Sequence, residues 1–127
     1  MYKRLELHNH TNESDAVFTC KELTDFMVAD QVDAFALTDH NTISGHCKIK
    51  NYLKEHPQPI AFIPGMEYTT YYGHILCLNL TEYVRGKIST DTSRNFSSVL
   101  PVKEGHWSAW HIHIPSDGRS HRAAVSR

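Results

Sequence analysis

The chain has 127 residues, of which 40% are hydrophobic and 21% charged, and its formal net charge is -1. This is the composition of one globular domain with enough apolar residues to bury a core. The near-neutral balance excludes a general basic field for nucleic acid, and no apolar run approaches the roughly 20 residues that a membrane helix needs.

The first residues, Met1 to Leu7, are charged and lack the apolar segment of a secretion signal, so a cytoplasmic location is expected. Lys3 to His8 alternates, with Leu5 and Leu7 on one side and Arg4, Glu6 and His8 on the other, which predicts a short strand. Asn9 to Ala16 is polar and reads as a loop. Thr19-Cys20-Lys21-Glu22 has the form of a capping box, and Leu23, Phe26 and Met27 continue at helical spacing, so a helix is expected from Thr19 to about Asp30. Ala34 to Leu37 is a continuous apolar run, as in a buried parallel strand, and leads directly into Thr38-Asp39-His40-Asn41. A second helix is expected from Ser44 to Lys54, ending before Pro57 and Pro59. Ile60 to Ile63 is the third strand, followed by Pro64-Gly65-Met66-Glu67, and Ile75 to Leu78 is the fourth, preceded by Tyr72-Gly73-His74. The order strand, helix, strand, helix, strand, strand predicts an α/β unit with a largely parallel sheet over residues 1–84.

Beyond Glu82 the periodicity fades. Residues 85–98 are rich in Ser, Thr, Arg and Lys, residues 105–115 carry two tryptophans and three histidines, and residues 116–127 are polar and basic. This stretch, 85–127, reads as a divergent, irregular tail whose end is disordered.

Histidine is the unusual residue, with 10 in the chain. In parallel α/β proteins chemistry gathers beyond the carboxyl ends of the strands. Strand one ends in His8-Asn9-His10, with Asp15 in the next loop; strand two ends in Asp39-His40; strand three ends in Glu67. Whether His74 joins them depends on the direction of strand four, which the sequence leaves open. Residues two apart on a strand share a face, so His8 and His10 can meet one cation. Carboxylates complete such a site and can bridge two ions. The set His8, His10, Asp15, His40, Glu67 and His74 therefore offers mixed nitrogen and oxygen ligands, which suit zinc, manganese or iron. Asp39 and Asn41 flank His40 and are read as supports behind the ligands. No catalytic side chain beyond the metal ligands is assigned.

Each element also has an ordinary reading. Asp39 could cap a helix, Glu67 could sit in a surface turn, and His74 could be a solvated loop residue. Their recurrence at successive strand ends favours the metal site. His46 and His56, on the second helix and at its end, read as surface residues. Cys20 and Cys47 read as core or boundary residues and Cys77 as buried and inert; the three widely spaced cysteines read as reduced thiols. No glycine-rich phosphate loop and no nucleophile elbow occurs.

Leu7-His8-Asn9-His10-Thr11, Ser14-Asp15, Ala36 to Thr42, Pro64 to Glu67 and Tyr72-Gly73-His74 together resemble the ordered early motifs of the polymerase-and-histidinol-phosphatase (PHP) family of metal-dependent phosphoesterases, over about residues 3–84. The stretch ending in Tyr72-Gly73-His74 is similar to a bacterial subgroup that includes carbamate and aryl-ester hydrolases. The resemblance implies a distorted (β/α)7 barrel with up to three divalent ions in its mouth, and hydrolysis of a small-molecule phosphoester by a metal-bound hydroxide. Carried over, His8 and His10 would hold the first ion, Glu67 would bridge the first and second, His74 would bind the second, and Asp15 and His40 the third. The family's later His-Pro motif and final Asp-x-His have only superficial substitutes in His111-Ile112-His113 and Asp117 with His121. A complete barrel needs roughly 200 residues or more.

The expectation is therefore the N-terminal part of such a barrel, with activity impaired by truncation. The alternative is a metal-binding remnant without turnover. Residues 105–115 can be written with synonymous codons so that a shifted frame yields an apolar strand followed by His-Pro, which suggests a frameshifted tail; the nucleotide sequence tests this. Two other classes fit less well. A polymerase accessory domain is disfavoured because no polymerase segment is attached, and the amidohydrolase superfamily is disfavoured by Thr38-Asp39-His40 and Gly65-Met66-Glu67. Neither a membrane nor nucleic acid is an expected partner, whereas a half barrel would expose strand edges and self-associate.

Overall fold

The computed structural model describes residues 3–70, 73–80 and 82–83, together with the backbone of 111–115. In chain order the elements are β1 (Leu5–Glu6), α1 (Cys20–Ala29), β2 (Ala34–Leu37), α2 (Gly45–Glu55), β3 (Ala61–Thr70), β4 (Gly73–Leu78) and β5 (His111–Pro115). They form one five-stranded sheet in the order β1-β2-β3-β4-β5. The pairs β1–β2 and β2–β3 are parallel, and β3–β4 and β4–β5 are antiparallel. The expected tail and shifted-frame segment lie outside the described residues, apart from β5, whose register sets His111 opposite Cys77 and His113 opposite Ile75.

Local chemistry explains the helix starts. The Thr19 hydroxyl accepts the Glu22 amide at 3.2 Å, and the Glu22 carboxylate accepts the Thr19 amide at 2.9 Å, so the expected capping box opens α1. The start of α2 has no side-chain cap. It is fixed instead by close approach, since a Cβ on Gly45 would lie 2.5 Å from Leu37 Cδ2 and 3.0 Å from Cys20 Sγ. Both helices cover the parallel part of the sheet. Cys20, Leu23, Met27, Val32, Phe35, Leu37 and Ile49 form that core, and Leu53, Ile60 and Phe62 pack against it. A second cluster of Met66, Tyr68, Ile75, Cys77 and Leu80 lies under the antiparallel part.

Strand β3 differs from expectation. Instead of ending at Glu67 it runs ten residues, to Thr70. It changes partners on the way: it pairs with β2 as far as Leu37↔Pro64, and with β4 from Gly65↔Leu78 onward. A Cβ on Gly65 would meet the Cys77 carbonyl at 2.8 Å and the Leu37 carbonyl at 3.1 Å, so both flanking strands press on a residue that must have no side chain. The antiparallel return also settles the direction of β4. His74 is paired with Thr69, at the same end of the sheet as Glu67.

Strand β1 is shorter than Lys3 to His8 because the Asn9 side chain takes over the pairing. Its amide donates to the Glu6 carbonyl at 3.1 Å and the Ala36 carbonyl at 3.0 Å, while Thr38 N donates to the Asn9 carbonyl at 2.8 Å. Two surface and boundary expectations are corrected. His46 is buried, because α2 turns it against β3 at Gly65, and Cys47 is exposed, because it lies one position further round the same helix. His56 is exposed, as expected. Cys20 and Cys77 are buried, all three cysteines are free, and burial pushes the Cys77 thiol up to about 12. Among the described residues, no helix is long and apolar enough to cross a membrane.

Candidate metal centre

The six residues singled out in the sequence converge at one end of the sheet. Glu67 is their hub. Its carboxylate is 4% exposed. One oxygen, Oε2, lies 2.7 Å from His8 Nε2, 2.8 Å from His10 Nε2 and 3.8 Å from His40 Nε2; the other, Oε1, lies 2.9 Å from His74 Nδ1. Asp15 stands at the exposed rim, with its oxygens 3.3 Å from His10 Nδ1 and 3.5 Å from His40 Nε2. The four imidazole rings form a continuous chain from His8 through His10 and His40 to His74, with successive centroids 5.0, 4.6 and 5.0 Å apart.

Backbone pairing holds the hub. Beyond β2 the chain stays alongside β3 through a His40↔Glu67 bridge. Glu67 N donates to the Asp39 carbonyl at 3.1 Å, and Asn41 N donates to the Glu67 carbonyl at 3.0 Å. Asn41 adopts φ 51°, a left-handed conformation that asparagine tolerates, and its Oδ1 accepts Thr69 N at 2.9 Å. Asn41 therefore grips β3 on both sides of Tyr68.

Asp39 works on the opposite flank. It is 1% exposed and accepts three hydrogen bonds of 2.6 Å, from Thr11 N, Thr11 Oγ1 and Ser14 Oγ. Those donors open the loop that carries His10 and Asp15. The loop is closed on itself by Ser14 N and Ala16 N donating to the Thr11 carbonyl and by Asn12 N donating to the Phe18 carbonyl. The residues read as supports, Asp39 and Asn41, thus touch no imidazole through these bonds; they fix the backbone on either side of the cluster.

Sequence reasoning missed two contributors. Thr38 exchanges hydrogen bonds with the backbone of Asn9, both at 3.1 Å, and so spaces His8 and His10. His46 binds the backbone of Gly65, two residues before Glu67. A threonine before Asp-His carried a weak signal in the resemblance; the buried face of α2 carried none for His46.

The donor set fits divalent cations. Three ligand groups have atoms within 4.8 Å of one another: His8, His10 and Glu67; His10, Asp15 and His40; His40, Glu67 and His74. The buried Nδ1 atoms of His10 and His74 lack a hydrogen-bond partner although carboxylate oxygens lie 3.3 and 2.9 Å away. Buried polar atoms are normally paired. For His74 Nδ1, which faces Glu67 Oε1 without hydrogen-bond geometry, a cation shared with that oxygen would supply the partner.

The model of the family described as PHP domain matches residues 6–103. The chain belongs to the PHP domain family. A two-domain protein from Bacteroides vulgatus that contains a PHP-like phosphoesterase superposes with a TM-score of 0.64 at 19% identity, over 76% of this chain and 32% of that one. A metal-dependent phosphoesterase structure from Bifidobacterium adolescentis gives 0.58 at 20% identity, over 75% and 34%. An amidohydrolase from Chromobacterium violaceum gives 0.56 at 24% identity, over 75% and 32%. In sequence, a 66-residue stretch is 36% identical to the PolC-type DNA polymerase III of Ureaplasma parvum, of whose length it spans 4%. This PHP chain thus spans about a third of the solved structures it resembles.

Proposed function

We propose that the site is the metal centre of a hydrolase that cleaves phosphoesters of small molecules. The observation that carries this reading is the buried Glu67 carboxylate with nitrogens of four histidines at 2.7 to 3.8 Å. His8, His10 and Glu67 would hold one ion, Glu67 and His74 a second, and Asp15 with His40 a third. A neutral imidazole has one lone-pair nitrogen, so this division, which gives each histidine one ion, is the one the chemistry favours over sharing His10 or His40 between ions. Mixed nitrogen and oxygen ligands suit zinc, manganese or iron. Such ions, when bound, activate water and neutralise the charge of a phosphoryl group. The protein's part is to aim its ligands from fixed backbone, to keep Glu67 from water, and to leave Asp15 and His8 open at the mouth where substrate enters.

The test is elemental analysis of the purified chain together with hydrolysis of a generic aryl phosphate in the presence of manganese. Wild type should take up metal and show a metal-dependent rate, and Glu67→Ala and His8→Ala should lose both. Unchanged metal stoichiometry in both variants would refute the ligand set. Metal uptake without any rate above the blank would leave a metal-binding unit without turnover. The 36% identity to a DNA polymerase favours a second reading, in which the site acts on a nucleic-acid 3′ end beside a polymerase. A preference for 3′-phosphorylated or mismatched oligonucleotides over aryl phosphate would support it.

A further inference from the structure

We infer that His46 is a positioning residue for the metal centre, setting the place of Glu67 through the backbone of Gly65. The inference rests on the metal reading above. His46 lies in the first turn of α2, 5% exposed, with its ring edge-on to Phe62 at 5.9 Å. Its Nε2 is 2.7 Å from the Gly65 carbonyl. A carbonyl oxygen can only accept, so the ring carries its proton on Nε2 and donates. Gly65 N is 3.2 Å from the same nitrogen, but a nitrogen that already donates has no lone pair left for it, and the shorter contact is the bond. Burial favours the neutral ring, which holds this proton on one nitrogen only.

The position of this bond makes it more than packing. Gly65 is where β3 leaves β2 for β4. At that crossover the strand has no side chain with which to anchor itself, and Pro64 has no N–H to offer. The His46 bond adds an anchor from the helix side to the one that Leu80 N makes to the Pro64 carbonyl at 2.9 Å. Two residues on, Glu67 projects to the imidazoles from the same face of the strand as Gly65. A shift of β3 at Gly65 therefore moves the Glu67 carboxylate relative to His8 and His10, which flank Asn9 and are held separately through its bonds to Thr38 and Ala36.

The experiment uses the 127-residue chain loaded with manganese and compares wild type, His46→Leu and His46→Gln by calorimetry and by electron paramagnetic resonance. The Gln side chain can return an N–H near the position of Nε2; Leu cannot. His46→Leu should weaken the Glu67-dependent sites about tenfold, as loss of an outer support typically does. It should also lower the exchange-coupled manganese signal relative to the isolated-ion signal. His46→Gln should restore both. Wild-type affinity and coupling in a folded His46→Leu would overturn the inference, as would equal loss in the Leu and Gln variants. If wild type itself binds no manganese, the metal reading falls, and this inference with it; binding by wild type that neither variant alters refutes the inference alone.

Discussion

Substitution Asp39→Ala removes the acceptor that holds the loop of His10 and Asp15. Three donors lose it at once: Thr11 N, Thr11 Oγ1 and Ser14 Oγ, each at 2.6 Å. A hydrogen bond to a charged acceptor contributes about 1.5–3 kcal/mol. Thr11 is fully buried, so its two donors have no access to water, whereas Ser14 is partly exposed and recovers solvent bonds. The expected loss is then about 3–5 kcal/mol, a large part of the roughly 5–15 kcal/mol that stabilises a typical domain. Asp39→Asn keeps one oxygen for Thr11 N and Ser14 Oγ and offers an N–H where Thr11 Oγ1 needs an acceptor, and its cost should be about 1–2 kcal/mol. Urea unfolding at neutral pH measures both. Asp39→Ala should also weaken metal uptake at both groups that draw a residue from the released loop, one through His10 and one through Asp15. A loss below about 1 kcal/mol for Asp39→Ala, with an unchanged denaturant slope, would refute the view that these three bonds fix the loop.

Gly65→Ala should destabilise by about 2–3 kcal/mol, since its Cβ would meet backbone oxygens at 2.8 and 3.1 Å that cannot move independently; a neutral effect in thermal melts would show that the crossover has slack. Burial holds the His46 imidazole below its ordinary range, with the Gly65 bond opposing this. The folded state then binds fewer protons than the unfolded one, so the contribution is complete above about pH 6.5 and is lost as pH falls through the lower folded value. His46→Gln should flatten that acid-side decline relative to wild type in paired unfolding curves, the site imidazoles being common to both proteins; parallel declines would count against it. The outer edge of β1 is unpaired among the described residues, and Leu5 on it is 52% exposed. Wild type should show concentration-dependent association in sedimentation, reduced by Leu5→Lys, and association that the lysine leaves untouched would place the contact elsewhere.

Much of this arrangement is legible where the determinants are local. The Thr19 capping box is read directly from four residues, and Ala34 to Leu37 is a strand with the bounds its apolar run suggests. His8, His10 and His40 follow the ends of the parallel strands β1 and β2, which the α/β pattern sets side by side. What escaped was set by partners distant in sequence. The length of β3 depends on β4, which arrives only after the chain reverses, so a run that looks finished at Glu67 continues to Thr70. The place of His74 depended on the same reversal. His46 looked like a surface residue because the buried face of α2 is chosen by the packing of Gly45 against Leu37 and Cys20, and a polar histidine in a helix with three lysines does not announce its burial.

The change of partner along β3 also divides the assembly of the centre in time. Glu67 and His74 belong to one hairpin and meet across a short chain reversal, which forms within microseconds in small proteins. His8 must come to Glu67 across a sequence separation of 59 residues, after two helical crossovers have closed, and such nonlocal contacts form late. A cation bound through all of these groups would therefore report that the whole parallel layer is in place, with the last groups to arrive as its latch.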